Sequence, residues 1–307
     1  MMHILISGSN GFLGKNLVER LLKEPRIKLT VINSKLSKSL YPLSKVRKLD
    51  IDLLKINELM HKFPEDELIK YDACIHLAWH GIPVFSEANN EKNRILAINM
   101  YKLARMLKIN NMLFAGSCSE YGNLSGKVSE ETKGRELNKL GSTKELIRKD
   151  LNKLNKNNDA IIKWMRIFYV YGPGQRDGSL IPSLLKEGIR NGLVKPNNPY
   201  NICDFIYIND VVEAMLKLIN VKVGGVFNIG SGVPICVSDL AEYIVNILEL
   251  KEHLLHSKSS KKDSLGLYAD ISKIQLYSGW EPNYSIMQGI KLMLGDLQKN
   301  SIGKKHG

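Results

Sequence analysis

Apolar positions follow two alternating rhythms through the first two-thirds of the chain. Short runs at His3–Ser7, Lys28–Asn33, Lys45–Leu49, Ala73–Ala78, Asn111–Ala115 and Ala160–Arg166 read as strands. Between them, Gly14–Lys23 places Leu17, Val18, Leu21 and Leu22 on one helical face, and Ile56–His61, Glu91–Lys108 and Ser142–Leu154 also read as helices. Alternation of this kind predicts parallel strands covered on both faces and joined by right-handed crossovers. After Pro173 the rhythm changes. Shorter helices at Ile181–Asn191, Asp210–Ile219 and Val237–Leu248 are separated by turns rich in Gly, Pro and Asn, such as Lys195–Pro199. The expected fold is α/β, a doubly wound parallel sheet with a smaller C-terminal lobe. The sheet domain is expected over 1–172, with 202–230 contributing to it, and the lobe over 173–201 and 231–307.

Composition narrows the class. The 307 residues are 44% hydrophobic and 24% charged, as in ordinary globular proteins. No apolar run approaches the roughly 20 residues of a membrane span, so no membrane association is expected. The first residues, Met1–Gly8, lack a basic segment and a small-residue cleavage site, so no signal peptide is expected. Cys74, Cys118, Cys203 and Cys236 lie far apart in the chain, which argues against a zinc site or a disulfide framework and fits a reducing cytoplasm. No metal is expected. The net charge of +13 admits a nucleic-acid partner or a solvated lysine surface that attracts anionic small molecules. The lysines are spread along the chain, which favours the second, and no nucleic-acid partner is expected.

Gly8-Ser9-Asn10-Gly11-Phe12-Leu13-Gly14 lies between the first strand and the first helix, the position of a dinucleotide-binding loop. Glycines let the backbone approach a pyrophosphate, and the helix N-terminus offers it amide hydrogens. Gly8, Asn10, Gly11, Phe12, Leu13 and Gly14 are therefore candidate cofactor contacts. An acid at the end of the second strand would bind the ribose of NAD. This chain has Asn33-Ser34-Lys35 there, with Lys38 nearby, which favours NADP(H) over NAD(H). Asp50 and Ile51, after the third strand, are candidates for the adenine edge.

These motifs belong to a longer series: His76-Leu77-Ala78; Asn99; Gly116-Ser117-Cys118-Ser119-Glu120-Tyr121-Gly122; Ser142-Thr143-Lys144-Glu145; Arg166–Gly174; Asp204–Val211; Asn228–Gly232; and Ala269–Lys273 before Gly279-Trp280-Glu281-Pro282. In this order and spacing the chain resembles the extended short-chain dehydrogenases/reductases, the NAD-dependent epimerase/dehydratase family that acts on nucleotide sugars. The resemblance implies a Rossmann-like cofactor domain, a C-terminal lobe for a nucleotide-sugar substrate, and a homodimer through helices 91–108 and 142–154. It implies that Leu77 and Ala78 line the cofactor. Ser117 would hydrogen-bond the reacting sugar oxygen. Lys144 would bind the nicotinamide ribose and depress the pKa of a neighbouring phenol.

Three positions depart from that pattern. Leu140 stands four residues before Lys144, where the resemblance places the catalytic tyrosine, and a leucine carries no proton. Tyr121, Ser119, Ser142 and His80 are the nearby polar alternatives, with Tyr121 the leading phenol. Cys203 stands where an arginine often grips the diphosphate; it is either a substrate contact or a small buried residue, with Arg176, Arg190 and Lys195 as candidate replacements. Tyr169 stands where many relatives have asparagine, and resembles the branch that reduces 4-keto-6-deoxy sugars. His80, Ser119, Tyr169, Arg176 and Cys203 are thus candidate substrate contacts. The expected function is an NAD(P)-dependent reductase of a nucleotide-linked 4-keto sugar, with Ser117, Lys144 and Tyr121 as catalytic candidates. A cofactor-holding pseudoenzyme or partner subunit is the alternative, and an epimerase or dehydratase a third.

Overall fold

The structure, a computed structural model, describes residues 1–33, 41–42, 45–58, 69–250 and 266–303. It divides into two compact units. The first comprises Met1–Gly122, Glu136–Arg166 and Met215–Phe227; the second comprises Asn123–Arg135, Ile167–Ala214 and Asn228–Gly307.

The first unit follows the expected alternation. Strand β1 (Met2–Ser7) leads to α1 (Phe12–Leu21), then β2 (Ile27–Asn33), β3 (Val46–Asp50), a 3₁₀ turn at Leu53–Glu58 and β4 (Ala73–His76). Helix α2 (Glu87–Met106), β5 (Asn111–Ala115), a 3₁₀ turn at Cys118–Tyr121, α3 (Lys139–Leu154) and β7 (Ile161–Ile167) follow, with β6 (Gly126–Val128), a strand of the second unit, between the turn and α3 in the chain. With β11 (Gly225–Ile229), β1–β5 and β7 make a seven-stranded sheet in the order β11-β7-β5-β4-β1-β2-β3. The pairs from β3 through β7 are parallel. β4 is buried along its whole length and β7 over six of its seven residues, as expected of strands covered on both faces. Leu5, Cys74, Met100, Met112, Phe114 and Trp164 are among the side chains of its core.

Two helices begin earlier than the periodicity indicated, each for a capping reason. Ser86 accepts a hydrogen bond from Asn89 N and starts α2 a turn early, and Asn138 accepts from Gly141 N and starts α3 at Lys139. The second shift matters, because it puts Leu140 inside the helix that carries Lys144. The helix expected at 56–61 is a 3₁₀ turn ending at Glu58, and its remainder lies outside the described residues.

The second unit contains β8 (Tyr169–Tyr171) paired with β10 (Phe205–Tyr207), and a four-stranded sheet. That sheet orders β12 (Ile235–Cys236), β9 (Ile202–Cys203), β13 (Gly266–Ala269) and β6. Helices α4 (Leu180–Asn191), α6 (Val237–Ile247), α7 (Ser272–Ser278) and α8 (Ile286–Gly303) belong to it, and α5 (Ile208–Asn220) precedes β11. No helix among the described residues is long and apolar enough to cross a membrane.

Candidate functional site

In the first unit, the order of the sheet reverses at β1, which pairs with β2 on one side and β4 on the other. Loops leaving the carboxyl ends of strands at such a switch point form the ligand crevice of doubly wound sheets. Ser7 lies opposite His76 there, and Ser7 Oγ and His76 Nδ1 are 2.7 Å apart.

The Gly8–Gly14 loop leaves β1 at this point. Gly8 has φ +78°, and a Cβ on it would run into the backbone of Leu77 and Ala78. A Cβ on Gly14 would run into the Gly8 carbonyl. The loop is therefore folded tightly between β4 and α1. Gly11 is the N-cap of α1 and makes no side-chain cap hydrogen bond. A helix start capped by a glycine lets an anionic group such as a pyrophosphate approach closely. Phe12 and Leu13 begin α1, and Asn10 and Gly11 are exposed.

Other expected cofactor contacts are placed unevenly. Leu77 N donates to Ser7 O at 3.0 Å, so Leu77 and Ala78 lie beside the loop. Asn33 pairs in register with Asp50, whose carboxylate meets Lys48 Nζ at 2.8 Å, and Ile51 is buried. Ser34, Lys35 and Lys38 lie outside the described residues.

Ser117, Tyr121 and Lys144 come together around β5. Ser117 Oγ accepts from Ser119 N at 3.1 Å, which leaves its own proton to donate. Lys144 Nζ donates to Ala115 O at 2.6 Å and lies 3.7 Å from the centroid of the Trp79 ring. Burial pushes the Lys144 ammonium well below the ordinary lysine range, and Glu120 pulls it partly back. Burial, helped by Lys144, lowers His76 to about 3, so its imidazole is neutral at ordinary pH. A Cβ on Gly141 would collide with Ser119 O, so the glycine lets the start of α3 pack onto the 117–121 turn. Leu140, partly buried, is one helical turn before Lys144. A cation is held at this place, but no hydroxyl or carboxyl accompanies it from position 140.

Tyr121 corrects the sequence reading. Its side chain has 0% exposure and lies under the Arg166 guanidinium, 4.5 Å from Cζ to the ring centroid. A phenol sealed in this way is a poor proton donor. His80 is exposed, and its backbone N donates to Asn93 Oδ1 at 2.6 Å.

Sequence reasoning placed His76, Glu120 and Arg166 in motifs without giving them a role, and missed Trp79. Glu120 accepts from Ser117 N, Trp164 Nε1 and Arg166 Nε at 2.8–3.0 Å. An arginine ending an apolar strand was the available signal, because a buried guanidinium demands an acid.

Tyr169, Arg176 and Cys203 belong to the second unit. Tyr169 is 44% exposed and packs against Phe205 at 5.9 Å, and Arg176 is exposed. Cys203 is buried, which raises its thiol to about 11. Asp204, beside it, is fully buried and accepts from Ser231 N, Ser231 Oγ, Gly232 N and Ala269 N. Asp210 accepts from Asn283 N and Tyr284 N. The motifs at Asp204–Val211, Asn228–Gly232 and Ala269–Lys273 thus converge on the Asp204 carboxylate, and the segment after Trp280 closes on that of Asp210. All four cysteines are free thiols.

Known proteins show the same organisation. The chain is 26% identical to UDP-glucuronic acid decarboxylase 3 of Arabidopsis thaliana over 97% of this chain and 89% of that one. It is 29% identical to YtcB of Bacillus subtilis, described as an uncharacterized UDP-glucose epimerase, over 94% of this chain and 96% of that one. Its fold matches a UDP-glucose 4-epimerase from Thermotoga maritima with UDP-glucose (TM-score 0.84, 21% identity, 98% and 100% of the two chains). It also matches dTDP-glucose 4,6-dehydratase from Bacillus anthracis with NAD (TM-score 0.81, 20% identity, 98% of each chain). The model of the NAD dependent epimerase/dehydratase family covers residues 4–230, the stretch that holds the glycine loop, Ser117 and Lys144, and the chain belongs to that family.

Proposed function

We propose that the protein binds NADP(H) in preference to NAD(H) at the Gly8–Gly14 loop and reduces a nucleotide-linked 4-keto sugar. The first unit would take the cofactor, and His80, Ser119, Tyr169, Arg176 and Cys203 are the proposed substrate contacts. The preference for NADP(H) rests on the basic run Ser34, Lys35 and Lys38 in the sequence. Exposed Leu146, Leu154 and Met106 on α3 and α2 support a homodimer through those helices, and the absence of a membrane-length apolar helix among the described residues fits a cytoplasmic enzyme.

The observation that carries the reading is Leu140, one turn from a held Lys144. The nicotinamide, when bound, supplies the hydride. Ser117 polarises the sugar oxygen, and Lys144 orients the ribose. Leu140 cannot take a proton from a sugar hydroxyl, which handicaps the oxidative direction. A ketone that accepts hydride becomes a strongly basic alkoxide, and solvent can protonate it.

A second reading is favoured by the relatives' names. Epimerases, decarboxylases and dehydratases dominate them, and the dehydratase neighbour holds NAD. One experiment separates the readings. The purified protein is titrated with NADPH and NADH, then given nucleotide-linked 4-keto sugars while cofactor oxidation is followed. Parallel reactions with NAD and UDP-glucose or UDP-glucuronic acid are read for products by NMR. Cofactor oxidation dependent on the keto sugar supports the reductase; an epimer or decarboxylated product supports the second reading. Binding without turnover shows a non-catalytic chain. Leu140→Tyr is expected to raise turnover by about 10²–10⁴-fold where a proton donor limits it.

A further inference from the structure

The chain has three tryptophans, and their indole N–H groups differ. Trp164 Nε1 donates to Glu120 at 2.9 Å, and Trp280 Nε1 donates to Asp210 O at 3.1 Å. Trp79 is only partly buried, but its Nε1 is shielded from solvent and has no hydrogen-bond partner among the described residues. Buried N–H groups are almost always paired, because an unpaired donor forfeits its hydration without return. Buried tryptophans in particular usually find an acceptor for the indole.

The location of this donor gives it meaning. Trp79 follows Leu77 and Ala78 at the carboxyl end of β4, where the glycine loop packs. Its ring face seats the Lys144 ammonium at 3.7 Å, an attraction between the cation and the negative face of the π-system. Lys144 is fixed from a second direction by Ala115 O at 2.6 Å. The indole therefore does two jobs. Its face positions the lysine, and its edge carries a donor that the protein leaves unspent beside it.

We propose that Trp79 is a ligand-contacting residue of this site, whose Nε1–H donates to an oxygen of the molecule bound against Lys144. This rests on the reading that the site takes a nicotinamide cofactor and a nucleotide sugar. The acceptor is an uncharged oxygen of one of those two ligands, a ribose or carboxamide oxygen on the cofactor or a hydroxyl or keto oxygen on the sugar. A hydroxyl or amide oxygen suits an indole, which is a donor only.

The test uses the whole protein with its tryptophans labelled by ¹⁵N, so that three indole resonances report three environments. Trp79→Phe identifies the Trp79 peak by its disappearance. NADP⁺, NAD⁺ and UDP-glucose are added separately, with calorimetry confirming occupancy. The expected result is a downfield shift of the Trp79 indole, with Trp164 and Trp280 little changed. Trp79→Phe keeps a ring under Lys144 and removes only the donor. It is expected to weaken the ligand concerned by about three- to twelve-fold, and the ligand affected identifies the source of the acceptor. A Trp79 indole resonance already at the downfield position of a hydrogen-bonded donor before any ligand is added overturns the proposal. So does calorimetric binding of all three ligands with the Trp79 peak unmoved, which leaves the functional reading standing. Failure of all three ligands to bind overturns both.

Discussion

Each unit buries a carboxylate, and the two are satisfied in opposite ways. Glu120 in the first unit is 2% exposed and faces a charge: Arg166 Nε lies 3.0 Å away, with Trp164 Nε1 and Ser117 N completing its shell. Asp204 in the second unit is 0% exposed and faces neutral donors, three backbone amides and the Ser231 hydroxyl. The first arrangement is a pair whose members depend on each other. The second is a set of oriented dipoles around one ion. Burial of a charge is tolerable either way, but the consequence of removing it differs. The site-bearing unit has taken the dependent form. The Glu120 carboxylate also holds the turn that presents Ser117, so its geometry reaches the candidate chemistry.

The largest expected effect breaks the first arrangement. Glu120→Gln keeps an acceptor oxygen and nearly the same shape, but it leaves Arg166 charged and buried with Glu145 Oε2 at 3.9 Å as its remaining acidic neighbour among the described residues. We expect a loss of about 3–5 kcal/mol in urea unfolding. Adding Arg166→Met to the same chain should recover most of it, because the unpaired charge is then gone. A double variant as unstable as the single one would show that the hydrogen bonds to Ser117 and Trp164, rather than the charge, carry the cost.

Asp204→Asn is the matching change in the second unit, and a smaller effect is expected. One amide oxygen still accepts, but the NH₂ group meets backbone N–H groups that point at it. A loss of about 1–3 kcal/mol in urea unfolding is expected, below that of Glu120→Gln. The pH dependence gives a second readout. Burial raises the Asp204 carboxyl above its ordinary range despite the donors around it. The native state therefore holds this proton to higher pH than the unfolded chain does. Its contribution to stability is present at low pH and is lost as pH rises through the native pKa. The variant should lack that component, and equal losses in the two units at neutral pH would erase the distinction between them.

The same contrast explains what could be read in the sequence. β5 falls at Asn111–Ala115 as the apolar run indicates, because a buried parallel strand writes its whole length in hydrophobic residues. Ser117, Lys144 and the Gly8–Gly14 loop were legible as local motifs whose residue types serve a nearby chemistry. Helix α3 starts at Lys139 rather than Ser142, and the missing side chain of Gly141 is what lets Ser119 O approach its first turn. The four-stranded sheet of the second unit was not legible. Its strands are two to four residues long, and β6 pairs with β13 across much of the chain, with Ser125 Oγ bonded to Gly266 O 141 residues away. Trp79, Glu120 and Arg166 acquire their roles only from tertiary neighbours. The Asp204 motif was visible, yet nothing local says that its donors lie 27 and 65 residues onward.

A third buried group, His76 in the first unit, sharpens the comparison through its pH dependence. His76 is 5% exposed, bonded to Ser7 Oγ, and lowered to about 3 by burial and then by Lys144. An unfolded histidine titrates near 6.5. Between about pH 3 and 6.5 the unfolded chain therefore binds a proton that the native state refuses, and stability rises with pH across that window. On acidification the wild type should lose up to about 1.4 kcal/mol per pH unit from this group alone. His76→Asn keeps a polar partner for Ser7 and does not titrate, so the difference between wild-type and variant unfolding free energies should slope across this range and flatten above it. Asp204 works in the opposite sense, so combining its Asn substitution with His76→Asn should separate the two slopes. Parallel wild-type and His76→Asn curves would mean that the imidazole finds a way to charge inside the fold, with Ser7 or water relieving its burial. The neutral imidazole assigned to His76 would then have to be abandoned.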